Sequence, residues 1–175
     1  MIHLCEREIG FDAVEIGFPS VFGCRAIVFV TSGGLFGYHL NGKLNAEKQA
    51  SFVNFITQHA HRGAGRMLYA ASEGKGLKYD HDELGKIAAA LQYGGPIYWA
   101  SLPPGGSAYV HYQDVNHATC SITSRAWNDA NDNVVANKAD YVAGPDRAMA
   151  NGAANAKMFA TVGTAGLRAV YPTQI

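Results

Sequence analysis

The chain has 175 residues, about the length of one domain, and its 48% hydrophobic content suffices for a packed core without disulfides or a structural metal. Fourteen basic residues balance fourteen acidic ones, so no overall charge favours nucleic acid or an anionic membrane. No apolar run approaches the ~18 residues of a membrane span, and the N-terminus lacks the pattern of a Sec-type signal peptide. We therefore expect a single domain over residues 1–175, either cytoplasmic or secreted without a Sec signal.

The three cysteines, Cys5, Cys24 and Cys120, are odd in number and far apart. This spacing argues against a disulfide framework and favours a reducing compartment. The glycines around Gly33 are followed by no Gly-Lys-Ser or Gly-Lys-Thr, so they are weak evidence for a phosphate loop. We expect no cofactor.

A β-hairpin is the clearest structural prediction. After a short β-like run at residues 13–16, residues 25–31 are rich in Val, Ile and Phe, as in a buried strand. Residues 32–34 (Ser-Gly-Gly) interrupt this pattern, and residues 35–40 resume it before the turn dipeptide Asn41-Gly42. Two β runs around such a break predict an antiparallel pair.

The rest of the chain alternates helical and β patterns. We expect an amphipathic helix over residues 46–60 with Asn45 as its N-cap, and a second over residues 81–92, where Asp80 and Glu83 have capping-box spacing. The remaining expected elements are strands at 66–71, 97–101, 108–112 and 117–123, a short helix at 147–159 and an edge strand at 170–172. Residues 97–101 and 108–112 are expected to form a second hairpin. The pattern predicts an α+β fold, with an antiparallel β-sheet or β-sandwich core flanked by two to three helices.

Cys24 and His39 are the best catalytic candidates. In the predicted hairpin the residue opposite Cys24 is position 41 or so, within two residues of His39. Cross-strand Cβ atoms lie about 5 Å apart, so an imidazole could reach the sulfur. An imidazolium there would stabilise the thiolate and could protonate a leaving group, so we expect a lowered pKa at Cys24. A buried cysteine with an unrelated histidine is the alternative.

The stretch Phe22-Gly23-Cys24, the apolar strand, the Gly-rich turn and the strand near His39 resemble the core of the cysteine glutamine deamidases. This family includes the bacterial chemoreceptor deamidase, the catalytic domain of cytotoxic necrotizing factor and the Burkholderia lethal factor. The resemblance covers residues 18–71, under a third of the chain. It implies that a Gln or Asn side chain of a target protein is deamidated through a thioester on Cys24.

The group that orients His39 is left open. Several members of the family have a Thr a few residues before the Cys, but the residue six before Cys24 is Phe18. The orienting role would fall to Ser20, Glu15 or a backbone carbonyl, and the last is similar to the arrangement in the necrotizing factor group. Ser20 is taken as the third candidate catalytic residue. Backbone N–H groups near Cys24 are the natural oxyanion hole.

The resemblance also implies a protein partner with an exposed Gln, and a bacterial toxin or effector as the kind of protein. A transglutaminase-like reaction, in which an amine replaces water, would use the same residues. The alternative from another class is a non-enzymatic binding protein, such as an immunity or adaptor protein, in which Cys24 is structural.

A second group of polar residues comprises His111, Asp114, His117 and Cys120. Two His and a Cys could ligate zinc or supply a base and its orienting group, but the spacing matches no common zinc pattern. An ordinary strand is the preferred interpretation, so we expect no metal site.

Overall fold

The computed structural model describes residues 1–59, 63–73, 77–116, 119–128, 130, 132–136, 147–148 and 158–175. The helices are α1 Ala46–Gln58 and α2 Leu77–Ala90. The strands are β1 Ile2–His3, β2 Glu8–Asp12, β3 Glu15–Val21, β4 Cys24–Thr31, β5 Gly34–Asn41, β6 Gly65–Ser72, β7 Ile97–Ser101, β8 Ala108–Val115, β9 Thr119–Ala126, β10 Asn133–Ala136, β11 Arg147–Ala148, β12 Met158–Thr161, β13 Arg168–Val170 and β14 Thr173–Gln174.

Two mixed sheets pack face to face. In the described part of the chain, one has the order β1-β3-β8-β9-β13 and the other the order β11-β2-β5-β4-β6-β7-β14, beside a separate β10-β12 pair. Side chains of both sheets share one buried cluster, with Ile16 and Tyr112 from the five-stranded sheet and Val28 and Tyr69 from the seven-stranded sheet. We call this space the inter-sheet core. The expected α+β fold with a β-sandwich core is confirmed.

Both helices cover the other face of the seven-stranded sheet, where Phe52 of α1 and Ile87 of α2 pack on its apolar residues. Strand β4 explains this layering. Val28 and its alternate neighbours face the inter-sheet core, whereas Ile27 and Phe29 face the helices. Because both faces of β4 are covered, its sequence is apolar throughout.

The β4–β5 hairpin is confirmed. Thr31 pairs with Gly34 next to the turn, and Cys24 pairs with Asn41 at the far end. The Thr31 hydroxyl donates to the Gly34 carbonyl at 3.1 Å and accepts from the Gly33 N–H at 3.2 Å. These bonds stabilise the turn that sets the register of the whole hairpin.

Helix α1 begins as predicted, because the Asn45 side chain accepts a hydrogen bond from the Lys48 N–H at 2.8 Å. Helix α2 begins earlier, at Leu77, so the capping box at Asp80 and Glu83 is wrong. Glu83 instead accepts from the Leu44 N–H at 2.8 Å. Helix α2 also makes β6 and β7 a parallel pair, because a helix between two strands allows the second to return in the same direction.

The second expected hairpin is wrong. β7 belongs to the seven-stranded sheet and β8 to the five-stranded sheet, so residues 102–107 cross the sandwich. Leu102 fixes one end of this crossing in the inter-sheet core. A tight turn and a crossing between sheets both favour Pro and Gly, so the local sequence does not distinguish them.

Three further predictions lie near the C-terminal half. The expected helix at 147–159 is wrong at both ends, because residues 147–148 and 158–159 are in strands, while residues 149–157 lie outside the described residues. The strand expected from His117 starts at Thr119, and His117 itself is not described. An edge strand is confirmed at Val170, the end of β13.

Gly37 on β5 is a position where we expect a side chain to be costly. A Cβ there would lie 2.6 Å from Leu4 Cδ1 and 3.0 Å from Ile16 Cδ1, inside the inter-sheet core. Overpacking of this kind should lower the free energy of unfolding of Gly37→Ala by about 1 to 3 kcal/mol, measured by urea denaturation.

Gly85→Ala is the matched control for this measurement. Gly85 is exposed on α2, and a Cβ there would meet no heavy atom within 4 Å. Alanine favours a helix by up to about 1 kcal/mol, so this variant should be more stable than the parent. Equal effects of both substitutions would show that close packing is not what requires Gly37.

Candidate active site

Cys24 begins β4, directly after the chain has crossed from one sheet to the other. Strand β3 ends at Val21 in the five-stranded sheet, and Phe22-Gly23 make the connection to the seven-stranded sheet. Gly23 has φ +65°, a backbone conformation that favours glycine. Phe22 is 61% exposed, whereas Cys24 is 5% exposed and faces the inter-sheet core. The thiol therefore lies just beneath an exposed connection.

His39 is on the same face of the hairpin as Cys24. Ala26 pairs with His39 and Cys24 pairs with Asn41, so the histidine is the diagonal neighbour of the cysteine. Diagonal neighbours lie about 7 Å apart or slightly less at Cβ, within reach of long side chains. The predicted proximity of the two residues in the hairpin is thus present. Within the described residues, however, no hydrogen bond joins the thiol to the imidazole.

A backbone carbonyl orients His39. Its Nδ1 lies 2.9 Å from the carbonyl oxygen of Leu4, and because a carbonyl only accepts, Nδ1 carries the proton. Nε2 is then the basic nitrogen, and among the described residues it has no hydrogen-bond partner although it is buried. The Phe18 ring packs edge-on against the imidazole, with centroids 5.9 Å apart. His39 is therefore held in one tautomer with its free lone pair in the interior.

The other two proposed orienting groups, Ser20 and Glu15, are not hydrogen-bonded to the His39 ring. Neither ring nitrogen bonds to Ser20, which lies on β3 with φ +53°. Glu15 lies on the same strand, and its carboxylate is 3.1 Å from Nε2 of His111. The sequence left three candidates open for the group that orients His39, and in the structure it is a backbone carbonyl, that of Leu4.

Burial keeps both candidate catalytic groups neutral. It raises the pKa of the Cys24 thiol to about 11, and the nearby Glu6 carboxylate acts in the same direction. Hydrogen bonding to the Phe22 backbone and the charges of Arg25 and Lys48 oppose this shift in pKa without cancelling it. Burial also lowers the pKa of His39. The lowered thiol pKa expected from the sequence is not found, because the imidazole is itself neutral.

Two polar residues next to the thiol were missed by the sequence analysis. Asn41 lies directly opposite Cys24, and its side-chain amide donates to the carboxylate of Glu6. The hairpin register would have identified Asn41, which we interpreted only as a turn residue. No local pattern marks Glu6, which lies in the connection between β1 and β2.

Two basic side chains donate hydrogen bonds to the backbone at the start of the loop after β5. Lys48 donates to the Asn41 carbonyl and Arg25 to the Gly42 carbonyl. The Arg25 Nε also lies 3.2 Å from the buried Glu83 carboxylate. The end of β5 and the loop that follows it are thereby tied to both helices and to β4.

The side chains of the second set of polar residues do not meet at one point. His111 faces away from the inter-sheet core and pairs with Glu15, whereas Cys120 is buried in that core opposite Asp114. Neighbouring residues of a strand point to opposite faces, so Tyr112 is in the core and His111 is not. Over the described ranges, which omit His117, no three His, Cys, Asp or Glu side chains are placed to hold a metal ion.

A cavity of about 650 Å³ opens between the β7–β14 and β9–β13 edges of the sandwich. Its lining includes Trp99, Pro103, Arg125, Arg168 and Tyr171, but neither Cys24 nor His39. The cavity and the thiol are separate, so the cavity does not by itself give access to Cys24.

Comparison with known families gave no matching family model, and comparison with curated proteins gave no match. In the described part of the chain, neither helix is long and apolar enough to cross a membrane. The case for a function therefore depends on the residues of this chain.

The rate at which Cys24 reacts with iodoacetamide should still rise at pH values where an ordinary thiol is already fully ionised and its rate no longer changes. Only the thiolate reacts, and the pKa of Cys24 is about 11. Since burial raises the pKa of Cys24 above that of the unfolded chain, the folded protein favours the neutral thiol. The resulting contribution to the free energy of unfolding is fully present below about pH 8.5 and is lost as the pH rises towards 11.

Site-resolved mass spectrometry after timed alkylation measures this profile, with urea-unfolded protein as the control. Cys120, whose pKa burial raises to about 12, should react at still higher pH in the folded protein. A profile for folded Cys24 with a midpoint near neutral pH would contradict the buried, neutral thiol.

Proposed function

We propose that the protein is a cysteine-dependent amidohydrolase that deamidates a glutamine, or an asparagine, of a protein substrate. The observation that supports this most is the state of His39. Its Nδ1 is held by the Leu4 carbonyl, and its buried Nε2 is left as a base on the same face of the hairpin as Cys24. A nucleophile, a base and a group that orients the base are the parts that such a reaction needs.

The first half-reaction forms a thioester. His39 Nε2 takes the thiol proton of Cys24 as the sulfur attacks the carboxamide carbon, so a C–S bond forms and the carbonyl oxygen becomes an oxyanion. Backbone N–H groups near Cys24 would stabilise that charge in the proposed reaction. The imidazolium then protonates the amide nitrogen, the C–N bond breaks and ammonia leaves.

Water completes the reaction. Neutral His39 removes a proton from water as its oxygen attacks the thioester carbon, and the C–S bond breaks. The imidazolium returns the proton to the sulfur of Cys24, and the product is the carboxylic acid, which ionises at neutral pH. Because both groups begin neutral, His39 acts as a general base rather than as one half of a resting ion pair.

Access to the thiol requires movement of the Phe22-Gly23 connection. Cys24 is 5% exposed, and among the described residues no hydrogen bond joins its thiol to His39. A Cβ at Gly23 would meet no atom within 4 Å, and Phe22 is largely in solvent. Displacing this connection breaks few contacts, and substrate binding would then bring the thiol to Nε2.

The family resemblance extends the proposal to biological role. Its toxin members act on a Gln of a host protein, so a bacterial effector or toxin that acts on a protein with an exposed Gln fits this chain.

A non-enzymatic binding protein is the second candidate function. The specific observation that favours it is the nearly closed Cys24, whose raised pKa is typical of a structural thiol. In that case Cys24 fills the inter-sheet core, and the protein acts as an immunity or adaptor protein through its surface.

Ammonia release distinguishes the amidohydrolase from the non-enzymatic binding protein. The protein is incubated with an N-blocked Gln peptide and with unfolded casein, and ammonia is measured together with the mass gained when –NH2 is replaced by –OH. An amidohydrolase releases ammonia in proportion to that mass gain. If neither probe, nor proteins of a candidate target cell, changes in mass, the enzymatic proposal fails.

A further inference from the structure

The cavity of about 650 Å³ lies at the edge of the sandwich where both sheets end. In the described part of the chain β13 and β14 are the end strands of their sheets at this edge, and residues 171–172 connect the two strands. Residues 103–107, in the crossing from β7 to β8, also line the cavity. Its volume falls within the range of about 300 to 1,000 Å³ that is usual for small-molecule sites. We call this space the edge cavity.

The lining of the edge cavity is mostly apolar. It includes Pro103 and Pro104 from the crossing, Val170 at the end of β13, and Tyr171, which is 86% exposed. A mostly apolar lining with a few polar groups is typical of sites that hold small organic molecules. The edge cavity can therefore accept the apolar body of a ligand.

Arg125 fixes one wall of the edge cavity. Its guanidinium donates to the two carboxylate oxygens of Asp132 at 2.6 and 2.5 Å, and its Nε donates to the Gly163 carbonyl at 3.0 Å. Asp132, whose side chain is fully buried, also accepts from the Gly163 N–H at 3.2 Å. The segment that leads into β13 is thereby tied to β9. Every nitrogen of this guanidinium already donates within the protein, so Arg125 shapes a preformed wall and is not a ligand-binding cation.

Arg168 is the second arginine of the lining, and its charge is not used in this way. Val170 packs against the inter-sheet core, and alternate residues of a strand share a face, so Arg168 also points between the sheets. Its cross-strand neighbour Ser124 lines the same cavity. Arg168 is exposed, and within the described ranges its guanidinium has no hydrogen bond or ion pair. No Asp or Glu is present among the described lining residues, so the edge cavity offers one positive charge to a ligand.

We propose that the edge cavity binds a small carboxylic acid with an aromatic or otherwise apolar body, whose carboxylate pairs with Arg168. A planar guanidinium can bind a carboxylate through two parallel hydrogen bonds. One cation matches the single negative charge of a carboxylate, whereas the greater charge of a phosphate is costly to place in a mostly apolar cavity. This site is separate from Cys24, and the inference goes beyond the proposed deamidation and does not depend on it.

A purely structural role for Arg168 makes a different prediction. β13 is an edge strand in the described part of the chain, and an inward-pointing charge on an edge strand can serve only to prevent pairing with another chain. In that role Arg168 would give the cavity no preference for an acid over the matching amide. Binding of a charged and an uncharged form of the same molecule therefore separates the two roles.

The probes are 1-naphthaleneacetate and 1-naphthaleneacetamide, which share one aromatic body and differ in charge. Isothermal titration calorimetry with the full chain at pH 7 and low salt gives both dissociation constants. We expect the carboxylate to bind about fivefold more tightly than the amide, the size of a favourable ion pair at an exposed side chain. This preference should shrink at high salt, because salt screens exposed charges.

Substitutions assign the preference to the edge cavity. Arg168→Gln should bind the two probes equally, and Arg168→Lys, which keeps the charge, should retain part of the preference. Tyr171→Ala should weaken both probes by the same factor, about threefold, because it removes apolar contact and no charge. Arg66→Gln is the matched control, since Arg66 is exposed but does not line the edge cavity, and it should behave like the parent.

Three results would overturn the proposal. They are no binding of either probe to the parent protein, equal binding of the two probes, and a carboxylate preference that is unchanged in folded Arg168→Gln. Circular dichroism shows whether each variant is folded. Arg168→Met, which also removes the charge at similar length, provides the same comparison if Arg168→Gln does not fold.

Discussion

Cys24→Ala is expected to abolish ammonia release and leave the protein folded. The substitution removes the sulfur that forms the thioester in the proposed reaction, so the rate should fall by several orders of magnitude. The loss of one buried sulfur should lower the free energy of unfolding by about 1 to 2 kcal/mol, less than the total stability of a domain. Ammonia release and thermal unfolding are measured on the same preparation.

Cys120→Ala is the matched control. Cys120 is a second free thiol buried in the inter-sheet core, 8% exposed against 5% for Cys24. Its replacement should cost a similar amount of stability and leave the rate unchanged, because Cys120 lies on β9, in the other sheet from His39. Retained activity in a well-folded Cys24→Ala protein would refute the enzymatic proposal and favour the binding protein.

His39→Asn should give the second largest loss of activity, about 10² to 10⁴-fold in kcat. The side-chain amide of asparagine can still donate to the Leu4 carbonyl, as Nδ1 does now, but no base remains at the position of Nε2. The fall should be in kcat rather than KM, since in the proposed reaction His39 transfers protons and does not bind the substrate in its ground state. Steady-state kinetics on the Gln peptide measures this.

His39→Ala separates orientation from packing. It removes the base as well, but it also leaves the buried Leu4 carbonyl without its donor, which costs about 1 to 3 kcal/mol in stability. We therefore expect both variants to be inactive and only His39→Ala to be clearly less stable. The alkylation profile of Cys24 should stay at high pH in His39→Asn, because burial, not the imidazole, sets the pKa of the thiol. A large shift of that profile would show that a charged His39 influences the thiol after all.

The candidate pair could be predicted from the sequence because it depends on one hairpin. The run of Val, Ile and Phe, the Ser-Gly-Gly break and Asn41-Gly42 fix the turn, and the turn fixes the register. The register places Cys24 opposite Asn41 and diagonal to His39. The start of α1 is equally local, because the cap of Asn45 is a contact between residues three apart.

The rest of the site could not be predicted from local patterns. Leu4 and Glu6 reach His39 and Asn41 through contacts between segments 35 residues apart, and no periodicity marks such contacts. The same limit applies to β7 and β8, since the segment between them has the composition of a turn but crosses the sandwich.

The sequence by itself determined the α+β class, the hairpin and the proximity of Cys24 to His39, because turn chemistry and strand alternation act over a few residues. Only the tertiary structure decided which carbonyl orients His39, which carboxylate lies beside the thiol and in which direction each pKa moves. The pKa directions depend on burial, and burial arises only when the second sheet closes over the hairpin. For this reason the sequence placed Cys24 and His39 near each other in the hairpin but predicted the wrong direction for the pKa of the thiol.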